Sequence, residues 1–361
     1  MKAFLIVLLM LVLVVAAVAG YVWVALEKPY GQLPPEGVFV QLPRGVSQRT
    51  VSRLLASKGI VRSAEAFELY ARRHPRRSLQ AGEYFFDHPM SGKDVYWKIA
   101  NGEVYVQPFT VKEGDTIFDI AHNLEATKYM TADAFLKAVQ DASQIQDFAP
   151  GAKTLEGFLY PATYNLPRLA AANDLTTMMV RKFREAMQRI APDRLDPLTP
   201  GTALLSVITL ASIVEAETPK PEERPVVAGV YTNRLRKDML LQCDPTVIYA
   251  LRAADRYKPP LLLKDLSYAS PYNTYVHAGL PPGPIGNPGE TSIRAALSPA
   301  PTDDLYFVAN TQGGHFFAAT LAEHNQNVAK YHRLLNGEAA YPPVPETPQA
   351  PTAGAAHKGK R

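Results

Sequence analysis

With 361 residues, 47% of them hydrophobic, and a net charge of +4, the chain has room for two or three domains with real cores, and its composition is not that of a disordered protein. The modest charge and the lack of a basic tract interleaved with aromatics argue against nucleic acid as a partner. Cys243 is the lone cysteine, so no internal disulfide forms, and with no Cys/His signature near it the thiol reads as a small buried hydrophobe.

Ala3 to Leu26 is a run of 24 positions without a charge, enough to cross about 30 Å of hydrocarbon as a helix. Residues 1–26 therefore read as a transmembrane anchor. A cleaved signal peptide is the competing reading, because Ala17-Val-Ala19 resembles a small-residue cleavage site, but the apolar run continues through Tyr21, Val22, Trp23 and Val24. Lys2 alone marks the short end; a short tail inside and the bulk of the chain outside the cytoplasmic membrane is the usual arrangement. Residues 27–37 follow as a linker.

A loose internal repeat comes next. Val40-Gln-Leu-Pro-Arg-Gly-Val-Ser and Phe109-Thr-Val-Lys-Glu-Gly-Asp-Thr both read as strand, Gly turn and helix start, and each is followed by a second helix behind a cap, Ser63 or Thr131. Residues 38–106 form the first small β/α module and 107–165 the second. Ala81–Phe86 and Gly102–Phe109 alternate as strands around a helix from Lys93 to Ala100. The basic cluster from Arg72 to Arg77 reads as a solvated turn.

Residues 166–336 are expected to form a mainly helical domain with Pro/Gly-rich loops, completing an α+β chain, and the Pro/Ala-rich stretch 337–361 reads as a disordered tail. An amphipathic helix from Asp174 to Ile190 leads through a turn at Pro192 to Pro200 into an apolar helix from Ala203 to Val214. That helix ends in Glu215-Ala-Glu217-Thr218. Carboxylates at a helix C-terminus oppose its dipole, so something must compensate them: pairing with Arg224 or Arg234, solvent, or a role as an acid whose pKa partial burial raises toward neutrality. Helical phase leaves the choice open. At about 100° per residue, Glu217 continues the Leu210/Ile213/Val214 side and Glu215 the Leu204/Ile208/Ala211 side, both apolar.

Tyr231-Thr-Asn-Arg-Leu235, Leu241-Gln-Cys-Asp-Pro-Thr246, Pro271-Tyr-Asn-Thr-Tyr275 and Gly279-Leu-Pro-Pro282 concentrate amides, hydroxyls and aromatics, groups that pack on sugar faces and bond sugar hydroxyls. No phosphate loop, GxSxG elbow or HExxH helix occurs, and His277, His315 and His324 lack metal-ligand spacing, so neither metal nor cofactor is expected.

Leu155-Glu-Gly-Phe-Leu-Tyr-Pro161, the Glu215-Ala-Glu217-Thr218 segment, Leu241-Gln-Cys-Asp-Pro-Thr246, Tyr272-Asn-Thr-Tyr275 and Gly279-Leu-Pro-Pro282 together resemble the membrane-anchored endolytic murein transglycosylases of the MltG or YceG-like type, and the likeness runs from the anchor to about Leu335. The resemblance implies a lyase that cuts MurNAc–GlcNAc bonds within peptidoglycan strands and works beside wall-synthesis proteins. It also implies that Glu217, before the small hydroxyl residue Thr218, is the catalytic glutamate. Glu215 is then a supporting or structural carboxylate. Gln242, Asp244, Tyr272, Asn273 and Tyr275 are the candidate substrate contacts. Ala162 stands where the family commonly has aspartate. The segment opening at Val111-Lys-Glu-Gly-Asp-Thr116 resembles a LysM glycan-binding module, with a folded spacer as the alternative. A non-catalytic membrane-anchored wall-binding scaffold is the rival function.

Overall fold

The computed structural model describes residues 2–31, 33–74, 78–168, 170–195 and 202–336. Part of the basic cluster (75–77), most of the proline turn (196–200) and the Pro/Ala-rich tail 337–361 lie outside the described residues. The chain mixes helices and short sheets, starts with one long apolar helix, and divides into two compact units. The first is residues 1–110 with Thr163–Ala171; the second is Val111–Ala162 with residues 172 onward.

In the first unit, α1 (Lys2–Glu27) is apolar on all sides and, from Phe4 to Val18, solvent-facing. Its last turn differs. Ala25 is buried, and a Cβ on Gly92 would stand 2.9 Å from the Ala25 carbonyl, so glycine is what lets the two backbones meet. Lys93 pairs with Glu27, and Tyr30 donates its N–H to Met90 at 3.0 Å, so the start of the expected 27–37 linker is held by hydrogen bonds.

Strand β1 (Val38–Leu42), helices α2 (Gln48–Ser57) and α3 (Ala64–Arg73), and strand β2 (Gly82–Phe86) complete the first copy of the repeat, with β1 antiparallel to β2. Ser47 and Ser63 cap the helices by accepting from Thr50 N–H and Ala66 N–H. Alternation places Val40 and Leu42 beside Tyr84 and Phe86 in a core shared with Leu55 and Phe67. Val95, Tyr96 and Ile99 of α4 (Gly92–Ala100) close it, each such side chain contributing about 1.5–3 kcal/mol on burial.

Strand β3 (Gln107–Thr110) starts later than the alternation at Gly102 suggested. Val104 instead bonds Gly102, and Tyr105 bonds the Glu83 carbonyl. Helices α5 (Ile117–Ala126) and α6 (Ala132–Ala138) follow, and β3 pairs antiparallel with β4 (Thr163–Leu166). Strand–helix–helix–strand order thus recurs, but the second copy has its strands in the first unit and its helices in the second.

The rest of the second unit is α7 (Ala172–Ile190), α8 (Thr202–Glu217), α9 (Arg224–Arg236), α10 (Asp244–Ala253), α11 (Glu290–Leu297), the hairpin of β5 (Tyr306–Ala309) and β6 (His315–Ala318), and α12 (Leu321–Leu335). Helix α8 buries Leu204, Ile208, Ala211, Ile213 and Val214 against its neighbours, which include α9 and α11, and so becomes the fixed axis of the unit. Pro219 ends it immediately beyond the glutamates.

Candidate active site

The two glutamates of α8 have opposite surroundings. The Glu215 side chain is buried and accepts from Arg224 at 2.6 Å and from Gly289 N–H at 2.9 Å. Arg224 is equally buried and reaches Glu113 at 3.7 Å. Glu215 therefore belongs to a buried ion pair that seats α9 and the loop before α11 on α8.

Glu217 is half-buried and lines a cleft of about 190 Å³ with Tyr231, Arg234, Leu241, Gln242, Asp244, Tyr275 and Phe307. The Tyr231 hydroxyl donates to Glu217 Oε1 at 2.6 Å. Loss of water around the carboxyl raises its pKa above the ordinary range, and the nearby Asp244 charge adds to that. Hydrogen bonds from the Cys243 thiol and Tyr231, with the His315 charge, only partly offset the rise. Tyr231 and Cys243 are themselves pushed up, first by burial and then by the Glu217 and neighbouring charges. The result is a carboxyl with a raised pKa at the mouth of a cleft, with two weakly acidic donors beside it.

The loop before α10 builds the opposite wall. Gln242 is exposed and takes φ +50°, a left-handed backbone uncommon for a residue with a side chain, held by its N–H on the Thr274 carbonyl at 3.1 Å. Cys243 N–H donates to Thr274 Oγ1 at 3.0 Å, which turns the thiol inward. Asp244 begins α10 and accepts from the Tyr275 hydroxyl at 2.5 Å; the phenol is pushed up by burial and by that carboxylate. Gln242, Asp244 and Tyr275 therefore line one cleft with Glu217.

Asn273 and Tyr272 do not. Asn273 is fully buried, donates to the carbonyls of Leu266 and Tyr268 at 3.0 and 2.8 Å, and accepts from Tyr275 N–H. All its polar groups hold the loop that aims Tyr275. Tyr272 packs on Tyr249 with ring centres 4.9 Å apart, near Glu156.

Sequence reasoning missed three members. Tyr231 and Cys243 carried no role beyond their motifs, although α9 and the start of α10, both packed on α8, bring them to Glu217. Glu156 is the third: it is fully buried, accepts from Ile117 N–H and from the Asn287 amide at 3.0 Å, and burial pushes its pKa up to about 8. Asn287 in turn accepts from Gly157 N–H and Leu159 N–H, so this network locks the 155–161 motif to the loop before α11. At Gly157, φ is +86° and a Cβ would fall 2.4 Å from the Pro284 ring, so no larger residue fits.

His315 donates its backbone N–H to Glu223 and keeps Nδ1 2.7 Å from that carboxylate, beside Phe307 at the edge of the cleft. The hydroxyl of Thr218 bonds Glu223 as well. Among the described residues no group of three or more His, Cys, Asp or Glu side chains is arranged to hold a metal.

Comparison with known proteins places the chain among related sequences. The family model described as the YceG-like family matches residues 40–330. A Bacillus subtilis protein named endolytic murein transglycosylase is 33% identical over 81% of this chain and 84% of its own length. A Streptococcus pneumoniae protein of the same name is 29% identical over 81% of this chain, which spans 58% of that longer relative. The crystal structure of a YceG-like protein from Listeria monocytogenes, 35% identical, superposes with a TM-score of 0.54 over 81% of this chain and 99% of its own.

Proposed function

This chain belongs to the YceG-like family, and from that membership we propose that it is an endolytic murein transglycosylase, a lyase that cuts MurNAc–GlcNAc bonds inside peptidoglycan strands. The observation that carries the proposal is Glu217, a carboxyl whose pKa burial raises and which is yet open to a cleft. A wall-binding scaffold gives no reason for that arrangement, because a half-buried acid at the wrong end of a helix dipole costs stability and adds nothing to binding.

Glu217 donates its proton to the bridging oxygen as the C1–O bond breaks, and GlcNAc leaves with that proton. The carboxylate that remains accepts hydrogen bonds from Tyr231 and Cys243. Asp244 places negative charge near the oxocarbenium-like centre, while Gln242 and Tyr275 contact the sugar. Glu217 then removes the C6 hydroxyl proton as O6 closes on C1, which forms the 1,6-anhydro ring and restores the acid. No water is consumed and no cofactor is needed. Asn273 positions the Tyr275 loop, Tyr272 is read as a more distant substrate contact, and Glu215 supports the site through its ion pair with Arg224.

We further propose that α1 anchors the protein in the cytoplasmic membrane with the rest of the chain on the outer side, close to wall-synthesis proteins, and that residues 107–165 form a LysM-like glycan-binding segment. The length and apolarity of α1 support the first statement, and the recurring strand–helix–helix–strand order supports the second. Mass analysis of digested glycan strands tests the chemistry. Products should end in 1,6-anhydro-MurNAc, lighter by one water than hydrolytic ends; reducing MurNAc ends would instead mean a hydrolase, with Asp244 as its second carboxylate.

A further inference from the structure

A pocket of about 370 Å³ opens at the foot of α1, lined by Pro29, His88, Met90, Asp94, Trp97, Lys98 and Glu103 among others. It plays no part in the chemistry at Glu217. Its depth relative to the anchor follows from the chain itself. Pro29 stands two residues past Glu27, at most about 7 Å along the chain, and the last turn of α1 is packed onto the same unit through Ala25, Gly92 and the Glu27–Lys93 pair. The headgroup layer on each side of a bilayer is about 5–8 Å thick. With α1 across the membrane, the pocket lies within that layer.

Its chemistry suits the location. Trp97 is partly exposed, with His74 and Tyr96 packed against its ring, the amphipathic placement that interfacial tryptophans favour. Trp23 is likewise exposed on α1, with the Lys28 ammonium 5.4 Å from its ring. Lys98 and Glu103 line the pocket without meeting, and neither has an ion-pair partner among the described residues. A cation and an anion that both line the pocket without pairing suit a ligand that carries both signs.

We propose that this pocket holds a phospholipid headgroup bearing both a phosphate and an ammonium group, the phosphate on Lys98 and the ammonium on Glu103 and Asp94, with Trp97 against the glycerol region. The contact fixes the height of the first unit on the bilayer, and it rests on α1 being the anchor proposed above.

The chain has two tryptophans, Trp23 and Trp97, so Trp23→Phe leaves Trp97 as the sole reporter. The full-length variant is reconstituted in vesicles of phosphatidylethanolamine or of phosphatidylglycerol, each brominated near the acyl carbonyl. Trp97 should be shielded from aqueous acrylamide and be quenched preferentially by the brominated phosphatidylethanolamine. A preference on the order of fivefold is expected from one surface charge contact; Glu103→Lys should abolish it, whereas Lys98→Glu should weaken the quenching by both lipids, because both carry the phosphate. Equal quenching by both lipids, or full acrylamide access, would overturn the proposal. So would a shift of Trp97 emission on adding a soluble wall stem peptide in detergent, which would give the pocket to a zwitterionic peptide. Trp97→Phe leaves Trp23 as the control. Quenching of Trp23 by deeply brominated chains without quenching of Trp97 by shallow ones rejects the pocket alone, whereas no quenching of Trp23 rejects the anchor.

Discussion

Replacing Tyr231 with phenylalanine removes one oxygen and keeps the buried ring, including its edge-on contact with Phe307 at 5.7 Å between centres. What is lost is a 2.6 Å hydrogen bond to Glu217 that is worth most when the glutamate is charged. A bond to a charged group contributes about 1.5–3 kcal/mol, and with Glu217 half-buried the lower end applies. Two consequences follow, with a definite sign. The carboxylate formed as the glycosidic bond breaks loses one of its donors, so kcat/KM on glycan strands should fall by about tenfold. The acid also holds its proton more tightly, so the basic limb of the pH profile, where protonated Glu217 is exhausted, should move up by about one pH unit. The assay is release of 1,6-anhydro ends across pH, with urea unfolding as the control; loss of one bond predicts a fold weakened by only about 1 kcal/mol. An unmoved limb together with an unchanged rate would show that Tyr231 does not touch the titrating acid, or that the acid is not Glu217.

The remaining expectations concern the frame around the site. Glu215→Ala strands a buried guanidinium, so urea unfolding should reveal a loss of about 3–5 kcal/mol; an unchanged midpoint would mean that the Arg224 pair does not hold the unit together. Glu156 is raised to about 8, so the folded state binds its proton more tightly than the unfolded chain. That contribution is complete below the ordinary glutamate pKa and is lost as pH climbs through 8. Wild-type stability should therefore decline from about pH 5 to 9 by a few kcal/mol, and Glu156→Gln should flatten the slope. Equal slopes in both proteins would mean that Glu156 titrates normally. N-terminal sequencing of protein extracted from membranes should find the α1 segment retained, whereas a start at Gly20 would replace the anchor with a cleaved signal.

What was legible in the sequence was local. The apolar run of α1, the capped helices behind Ser63 and Thr131, and the apolar helix running into Glu217 all follow from periodicity and capping, which act within a few residues. Gln242, Asp244 and Tyr275 were legible as chemistry, and they do line the cleft. Helical phase could not separate the glutamates, because the neighbours that distinguish them come from elsewhere. Arg224 and Gly289 sit on Glu215, while Tyr231 and Cys243 sit on Glu217. Asn273 reads as a sugar-binding amide until its loop closes around it and takes every polar group. Strand β4 is too short for a pattern of its own and is defined by pairing with β3, more than fifty residues earlier. Glu156 is the extreme case: nothing adjacent to it explains a buried carboxyl, and its amide partner Asn287 lies 131 residues away.

The most direct test of the central claim compares Glu217→Gln with Glu215→Gln on intact glycan strands, with products read by mass. Glutamine keeps the volume and hydrogen-bonding shape of Glu217 but cannot deliver a proton. The first variant should therefore bind strands and unfold like wild type while losing at least about 10²- to 10⁴-fold in formation of 1,6-anhydro-MurNAc ends. The second should cut whatever fraction of it folds. An active Glu217→Gln beside a folded but inactive Glu215→Gln would contradict the account and move the acid two residues up the helix.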